Sequence, residues 1–503
     1  MERIGIIDIG SNSIRLVIYE ITDKGAYRVI DEAKESARLG GRVEPGGQIG
    51  DADIAYISET LHRFKLLCTV HGAERIRAVA TAAVRNASNA GSVVSQLKER
   101  TGLSVEVLSG TDEGRLGFLG MANTLDVNDG FLIDIGGGST EVTWFKDRQI
   151  QKTVSFPFGA VNTMQRFGKN GELSPEGARE LRALVQQAVA GEPWLTSQPG
   201  LPLIGLGGTV RALCKIDQRS RRYSLPIMHN YRMTPEDTAN WVTLLQSMKM
   251  EQRKKIEGLP KDRADIIVPG LHILHSIFEL TGASHYIISG AGLRDGIFFE
   301  TLRPEEPLFS IVLEHSVLNT LALHPTVSVN HVRQVERLSG KLFADLRQYH
   351  GLSKRAGLYL KVASLLYRIG ISIHYYNFYK HTYYLLAHSR IDGLTHREIM
   401  LCALIASFKS EKRLKPLFAA HRDLLSEFDF ELISKLGILM QLAVALDRSE
   451  TQPISDLRAQ VIGKELKLSV RCRHQWVIER TELDAVGKDF GKQWGLKIKV
   501  EEA

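Results

Sequence analysis

Two copies of one short motif constrain the fold of this chain more than any other feature of its sequence. Residues 4–20 read IGIIDIGSNSIRLVIYE, and residues 131–145 read FLIDIGGGSTEVTWF. In each copy an apolar run ends at an aspartate, Asp8 or Asp134, turns through glycine and small polar residues, and continues into a second run. β-branched and aromatic residues follow each turn, so the pattern predicts two strands joined by a hairpin, whereas a dinucleotide-binding fingerprint needs a helix there.

The duplication indicates two related halves whose hairpin turns face one cleft. Glycine lets backbone N–H groups approach a ligand closely, because no Cβ intervenes. Successive N–H groups in such a turn form an anion-binding concavity. One such hairpin alone is equally typical of a plain turn, so the prediction rests on the repeat.

Length and composition describe an ordinary globular protein. The chain has 503 residues, 44% of them hydrophobic and 24% charged, which predicts about three domains. It has no uninterrupted apolar run long enough for a transmembrane helix and no signal-peptide pattern at MERIGIIDIG, so we expect a cytoplasmic location. The four cysteines are far apart without CxxC spacing, which argues against a zinc site or disulfide framework: Cys68, Cys214, Cys402 and Cys472.

The net charge of +7 is spread along the chain without a long basic tract. This distribution is a weak indication of a polyanionic ligand, and it does not predict a specific nucleic-acid site.

The motifs DIGSNS (8–13), DIGGGSTE (134–141), GLGGT (205–209) and SGAGLRDG (289–296) together resemble the exopolyphosphatase and guanosine pentaphosphate phosphatase family. The resemblance covers residues 1 to about 303 strongly and the rest more loosely. It implies an α/β fold with duplicated RNase H-like domains of the actin, sugar kinase and heat-shock ATPase superfamily, at 1–124 and 125–303.

The remainder is expected to form an all-α domain at 304–450 and a small α/β domain at 451–503. The helical domain resembles a histidine-aspartate (HD) hydrolase, with His331 and Asp447 where the outer metal ligands of that domain lie. Tyr367 and Arg368 replace its central His-Asp pair, and a guanidinium offers a metal no lone pair, so we assign this domain no catalysis. In the last domain we expect strands at 465–471, 475–479 and 496–500, with a helix at 482–494.

Glu113 is the candidate catalytic base. It follows an expected strand at 103–109, close to Ser109 and Asp112, so an acidic residue at a helix N-terminus explains it equally well. The family's proposed catalytic glutamate aligns with it. Arg85, expected to follow a strand at 76–84, is read either as a phosphate clamp or as a solvated arginine.

The other candidate site residues follow from the two hairpins and the GLGGT segment. Asp8, Asp134 and Glu141 would hold Mg²⁺, which prefers one or two carboxylates together with waters and phosphate oxygens. A monovalent cation such as K⁺ is a further candidate cofactor. The candidate phosphate-binding residues are Asn12, Ser13, Arg85, Gly137, Gly138, Ser139, Gly207 and Gly208, although close helix packing would also explain the last two glycines.

The resemblance implies Mg²⁺-dependent, processive release of terminal orthophosphate from inorganic polyphosphate. The alternatives are removal of the 5′ γ-phosphate from guanosine 5′-triphosphate 3′-diphosphate (pppGpp), a non-catalytic polyphosphate or alarmone sensor, and a sugar or acetate kinase of the same fold. The retained carboxylates argue against the sensor. Apolar helices expected within 356–407 favour a homodimer.

Overall fold

The computed structural model describes residues 1–39 and 47–502. They form two compact units: Met1–Tyr223 with Met228–Val312, and Ser224–Ile227 with Leu313–Ala503. The first unit contains both hairpin motifs. The four-domain division expected from the sequence stays a prediction.

The first half of the first unit is a five-stranded mixed sheet with helices. Its strands run in the order β3-β2-β1-β4-β5. The apolar runs of the first motif form β1 and β2, whose side chains are almost all buried. The elements are β1 (Glu2–Ile9), β2 (Ile14–Ile21), β3 (Tyr27–Glu35), α1 (Asp51–Val70), β4 (Arg75–Ala80), α2 (Ala82–Arg85), α3 (Ala90–Thr101), β5 (Val105–Val107) and α4 (Gly110–Ala122).

The second half is built around a six-stranded mixed sheet in the order β12-β13-β11-β6-β7-β8. Strands β9 and β10 form a separate short ribbon. The elements are β6 (Gly130–Ile135), β7 (Thr140–Lys146), β8 (Gln149–Phe156), α5 (Ala160–Phe167), β9 (Gly168–Lys169), β10 (Glu172–Leu173), α6 (Pro175–Ala190), β11 (Leu203–Leu206), α7 (Gly207–Ser220), β12 (Tyr231–Met233), α8 (Pro235–Ser247), α9 (Met250–Arg253), α10 (Ile267–Thr281), β13 (Tyr286–Ile288) and α11 (Leu293–Leu302).

The two sheets repeat one topology. In each, the central strand pairs antiparallel with the next strand and parallel with the strand that follows the first crossover, as in β1 with β2 and β4, and β6 with β7 and β11. The hairpin turns also match: Gly10 N–H donates to the Ser13 carbonyl at 3.1 Å, and Gly136 N–H donates to the Ser139 carbonyl at 2.9 Å. The α/β class and the duplication agree with the sequence prediction.

Helices α4 and α11 join the two halves, and they pack so closely that their backbones are in contact. A Cβ built on Gly120 would lie 2.2 Å from the Gly292 carbonyl oxygen, and one on Gly296 would lie 1.9 Å from the Leu116 carbonyl oxygen. Only glycine permits this approach, because real Cβ atoms do not come so close to backbone oxygen. These contacts hold the middle and the C-terminal end of α4, while its first turn carries Glu113.

The second unit combines helices with a three-stranded sheet in the order β14-β15-β16. Its histidine-aspartate hydrolase likeness stays a prediction. The elements are α12 (Val312–Ala322), α13 (Val329–Asp345), α14 (Arg347–His350), α15 (Lys354–Leu366), α16 (Phe378–His388), α17 (His396–Ala406), α18 (Glu411–Ala419), α19 (Glu427–Ala445), β14 (Ile454–Ile462), β15 (Glu465–Cys472), α20 (Val477–Trp494) and β16 (Lys497–Glu502).

Two local predictions were wrong. Residues 475–479 enter helix α20 instead of forming a strand, with Val477 and Ile478 on its exposed face, and β14 was missed. The strand expected at 76–84 ends at Ala80, and Arg85 ends the short helix α2. Alanine, which is abundant in that segment, favours helix over strand. Over the described residues, no helix is long and apolar enough to cross a membrane.

Candidate active site

The two hairpin turns meet at one cleft of the first unit. A Cβ built on Gly137 would lie 3.0 Å from the Ser11 Cβ and 3.4 Å from the Asn12 amide nitrogen. The cleft has a cavity volume of about 130 Å³. The turns therefore face the same space at the ends of the two central strands.

Most of the predicted site residues line this cleft. Arg85, Gly138 and Glu141 lie beside it: Arg85 contacts Glu113, and a Cβ on Gly138 would lie 3.3 Å from the Ser11 hydroxyl oxygen. The predicted residues that line the cleft are Asp8, Asn12, Ser13, Glu113, Asp134, Gly137, Ser139, Gly207 and Gly208. The structure thus brings the predicted set together, and the role of each residue stays a proposal.

Helix α4 places Glu113 in its first turn, on the cleft. The Ser109 hydroxyl caps the helix by accepting from the Asp112 amide at 3.0 Å, so Glu113 is not needed as the cap. Its carboxylate accepts from Arg85 Nη1 at 2.8 Å, and Arg85 also donates to the Leu108 carbonyl at 3.0 Å. Burial and the nearby Glu141 carboxylate raise the pKa of Glu113 well above its ordinary value, against the opposing effect of Arg85.

Glu141 is buried beside this pair. The Ser155 hydroxyl donates to its Oε1 at 2.7 Å, Arg85 Nη2 lies 3.9 Å from the same oxygen, and Oε2 is buried without a hydrogen-bond partner. Burial and Asp134 raise the pKa of Glu141 to about 7. Three acidic side chains, those of Glu113, Glu141 and Asp134, therefore lie in one desolvated region, which disfavours their simultaneous ionisation.

The aspartates of the hairpins lie at the base of the cleft. Burial raises the pKa of Asp134 to about 6 and also raises the pKa of Asp8, whose Oδ1 is buried without a partner. Unpartnered carboxylate oxygens on Asp8 and Glu141 fit a divalent cation that takes its remaining ligands from water and phosphate. No group of three His, Cys, Asp or Glu side chains in residues 1–39 and 47–502 has metal-binding geometry by itself.

Two adjacent glycines open the N-terminus of α7 to the cleft. Gly207 has φ +79°, and a Cβ there would lie 2.4 Å from Asp134 Oδ1. A Cβ on Gly208 would lie 1.9 Å from Arg263 Nη2. Both glycines thus give room to side chains that line the cleft, in addition to exposing the first amides of the helix.

Sequence reasoning missed the main positive charge of the site. Four arginines line the cleft: Arg15, Arg211, Arg263 and Arg294. Burial and the neighbouring Arg294 and Arg211 lower the pKa of Arg15 to about 10, and burial lowers the pKa of Arg211, with Arg294 the next cause. Guanidinium groups that repel one another in a desolvated cleft favour the binding of an anion.

Some of these arginines had a sequence signal. Arg15 occupies the position in the first motif that Glu141 occupies in the second: Asp8 pairs with Arg15 across the first hairpin, and Asp134 pairs with Glu141 across the second. Arg294 belongs to the SGAGLRDG motif. Nothing in the pattern around Arg263 indicated the cleft.

In the second unit, both imidazole nitrogens of His331 have hydrogen-bond partners. Its Nδ1 lies 2.7 Å from Asp447 Oδ2, and its Nε2 contacts the Tyr367 hydroxyl. The Tyr367 hydroxyl therefore contacts the imidazole nitrogen that a metal would need. This contact and the guanidinium of Arg368 both disfavour a catalytic metal at His331.

Comparison with protein-family models identifies residues 17–305 with the Ppx/GppA phosphatase family and residues 313–486 with Ppx/GppA phosphatase, domain III. The chain belongs to the Ppx/GppA phosphatase family. The first match contains the second hairpin, Glu113 and three of the four cleft arginines; Arg15 lies just before it. A phosphatase family fits a cleft that gathers carboxylates and guanidinium groups, and a hydrolase is therefore supported.

A curated relative and two solved structures agree with this assignment. The guanosine-5′-triphosphate,3′-diphosphate pyrophosphatase of Aeromonas hydrophila subsp. hydrophila is 28% identical over 422 residues, 82% of either chain. The Ppx/GppA family member of Aquifex aeolicus is 29% identical with a TM-score of 0.53, covering 61% of this chain and 99% of that one. An exopolyphosphatase from Cytophaga hutchinsonii, 23% identical with a TM-score of 0.57 and the same coverage, shares the fold.

Proposed function

We propose that this protein is an exopolyphosphatase that releases terminal orthophosphate processively from inorganic polyphosphate with Mg²⁺. The observation that carries the proposal is the four-arginine cleft with Glu113 on its wall. A chain of phosphates carries a negative charge on every unit, so a substrate of this class matches several guanidinium groups in one place. K⁺ as a second cofactor, the homodimer and the cytoplasmic location remain predictions.

In this reaction the residues of the cleft would bind phosphate, neutralise its charge and accept a proton. The turn amides at 10–13 and 136–139, with Asn12, whose side-chain oxygen and nitrogen are buried without partners, would bind the terminal phosphoryl group. The cleft arginines would neutralise the adjoining phosphates. Glu113 would take the proton of the attacking water, a step that contributes about 10²–10⁴-fold.

Arg85 fits a positioning role better than a direct clamp. It lies beside the cleft lining, and its Nη1 is shared between Glu113 and the Leu108 carbonyl. It would hold the Glu113 carboxylate in place and favour its ionised form. Asp8, Asp134 and Glu141 would hold Mg²⁺, which supplies charge neutralisation on the phosphoryl oxygens.

The second candidate is hydrolysis of the 5′ γ-phosphate of pppGpp. It is favoured by the curated relative, whose name specifies that nucleotide and which matches 82% of this chain. Both substrates end in a phosphoanhydride-linked terminal phosphate, so the same hairpins and the same glutamate would serve either reaction.

The deciding experiment compares orthophosphate release from long-chain polyphosphate, pppGpp and ATP under one condition with Mg²⁺. We expect the highest kcat/KM with polyphosphate, and loss of about 10²–10⁴-fold in Glu113→Gln with little change in KM. Glu99→Gln, an exposed glutamate on α3, is the matched control and should retain full activity.

Faster release from pppGpp than from polyphosphate would replace the leading proposal by the second. Release from none of the three would favour the non-catalytic sensor, and equal loss of turnover and binding in Glu113→Gln would remove the base role from this residue.

A further inference from the structure

A second ligand-sized pocket lies within the second unit, between helices α16, α19 and α20. It has a cavity volume of about 350 Å³, within the range of about 300–1,000 Å³ that small-molecule sites typically measure. His331 and Tyr367, which hydrogen-bond to each other, are part of its lining. The proposed phosphatase chemistry makes no use of this pocket.

The pocket carries more positive than negative charge. Arg368, Lys409 and Arg448 line it, and Glu482 is the single carboxylate among its described lining residues. Arg448 lies 3.7 Å from Glu482, which is a loose ion pair. Lys409 has no carboxylate within ion-pair distance among the residues that the structure describes.

Arg368 is only partly satisfied. Its Nη1 donates to Glu450, while its Nε is buried without a hydrogen-bond partner. Desolvation lowers the pKa of Lys409, and Arg413, Arg368 and Arg448 lower it further. Such a concentration of cations favours an anionic ligand that presents several oxygens.

Aromatic rings line the same pocket. Tyr375 is 61% exposed, and Phe378 and Tyr379 are half-buried. Lys409 Nζ lies 5.7 Å from the centre of the Phe378 ring, and Arg368 Cζ lies 5.8 Å from it. Cations and aromatic rings therefore line the same pocket, which is the combination that binds phosphate together with a stacked nucleobase.

We propose that this pocket binds a nucleoside diphosphate or triphosphate, with its phosphates on Arg368, Lys409 and Arg448 and its base on Tyr375. A metal ligand is disfavoured because Tyr367 and Asp447 occupy both nitrogens of His331. A bare phosphate chain would use the cations and leave the aromatic surface without a role, so the rings favour the nucleotide.

The test uses the full chain carrying Glu113→Gln, so that bound nucleotide is not hydrolysed. GDP, ADP, inorganic tripolyphosphate and a short single-stranded oligonucleotide are titrated by calorimetry, and hydrogen–deuterium exchange locates each. We expect GDP or ADP to protect 366–388 and 440–450. Lys409→Ala and Tyr375→Ala should each weaken this binding about tenfold or more, the loss expected for one charge-assisted hydrogen bond or one base stack.

Two controls separate this pocket from the cleft. Lys354→Ala, an exposed lysine on α15, should leave nucleotide binding at 366–388 unchanged, as should Arg211→Ala in the cleft. Tyr375 is exposed and Lys409 has no ion pair among the described residues, so replacing either is expected to leave the melting temperature nearly unchanged, which thermal unfolding checks.

Three results would overturn the proposal. Protection by nucleotides confined to 8–15 and 134–141 would place all binding in the cleft. If tripolyphosphate protects the pocket as well as GDP does, and Tyr375→Ala has no effect on binding, the pocket is a general anion site and not a nucleotide site. Protection by a short single-stranded oligonucleotide and by neither GDP nor ADP would assign it to nucleic acid.

Discussion

Replacing Gly208 by alanine should lower the catalytic activity of the cleft without unfolding the protein. The new Cβ would lie 1.9 Å from Nη2 and 2.0 Å from Cζ of Arg263, so the guanidinium must move. Because it is the far end of a flexible side chain, it can swing away at little cost to the fold. Gly208 lies in the first turn of α7, where alanine is favoured over glycine by up to about 1 kcal/mol, so we expect the free energy of unfolding to be unchanged or slightly raised.

The catalytic cost follows from the lost cation. A hydrogen bond from a charged donor to phosphate contributes about 1.5–3 kcal/mol, and each 1.36 kcal/mol corresponds to a factor of about ten in rate. We therefore expect Gly208→Ala to lower kcat/KM for polyphosphate by about 10–150-fold. Phosphate release measures the rate, and thermal unfolding measures the stability.

A double-mutant cycle identifies the cause. Arg263→Ala should produce a loss of similar size, and adding Gly208→Ala to it should produce little further loss, because the displaced side chain is already absent. Losses that multiply in the double variant would refute the steric argument. A fall in melting temperature of Gly208→Ala alone would show that the backbone, and not Arg263, has moved.

Three further substitutions test other parts of the site. In Arg85→Met, the pKa of Glu113 should rise further, because the Arg85 guanidinium no longer opposes the effect of burial and Glu141. Since a base acts when ionised, the acid limb of the kcat/KM profile moves to higher pH and activity recovers there, whereas a phosphate clamp would lower the rate at every pH. Gly296→Ala drives a Cβ against the Leu116 carbonyl oxygen and should cost about 1–3 kcal/mol or more of folding free energy, measured by denaturant unfolding; an unchanged midpoint would contradict the close packing. Asp134→Asn should raise the Mg²⁺ concentration needed for half-maximal activity, and an unaltered metal dependence would remove Asp134 from the metal site.

The sequence was sufficient for the parts of the fold that are determined locally. The hairpins at 8–13 and 134–141 were predictable because apolar strand, glycine turn and apolar strand follow each other within about twenty residues, and the structure has strands at both places. Ser109 as the cap of α4 was likewise predictable from its spacing to Asp112. These contacts join residues that are close in sequence.

The sequence was insufficient for features that depend on packing between segments far apart in the chain. The alanine-rich segment before Arg85 is compatible with a strand or a helix. In the structure the strand ends at Ala80 and the short helix α2 follows. Arg263 reaches the cleft from a turn of 3₁₀ helix with no motif around it, so its place depends on how that turn packs on Gly208. No periodicity in a single chain reports such a long-range contact.

The divergence of the two hairpins explains how one repeated motif can serve a reaction that needs both signs of charge. At equivalent cross-strand positions the first hairpin carries Arg15 and the second carries Glu141, opposite Asp8 and Asp134. The first copy thus adds a cation beside its aspartate, while the second adds an acid whose pKa is raised to about 7 by burial and Asp134. We therefore propose that the first hairpin contributes positive charge for the phosphate, while the second contributes a further carboxylate for the metal. Exchanging the two residues, Arg15→Glu with Glu141→Arg, would keep the net charge and should still remove most phosphate release, because the cation beside Asp8 and the carboxylate beside Asp134 would both be lost. Phosphate release from polyphosphate measures this loss, and activity close to that of the unchanged protein would contradict the division of charge between the hairpins.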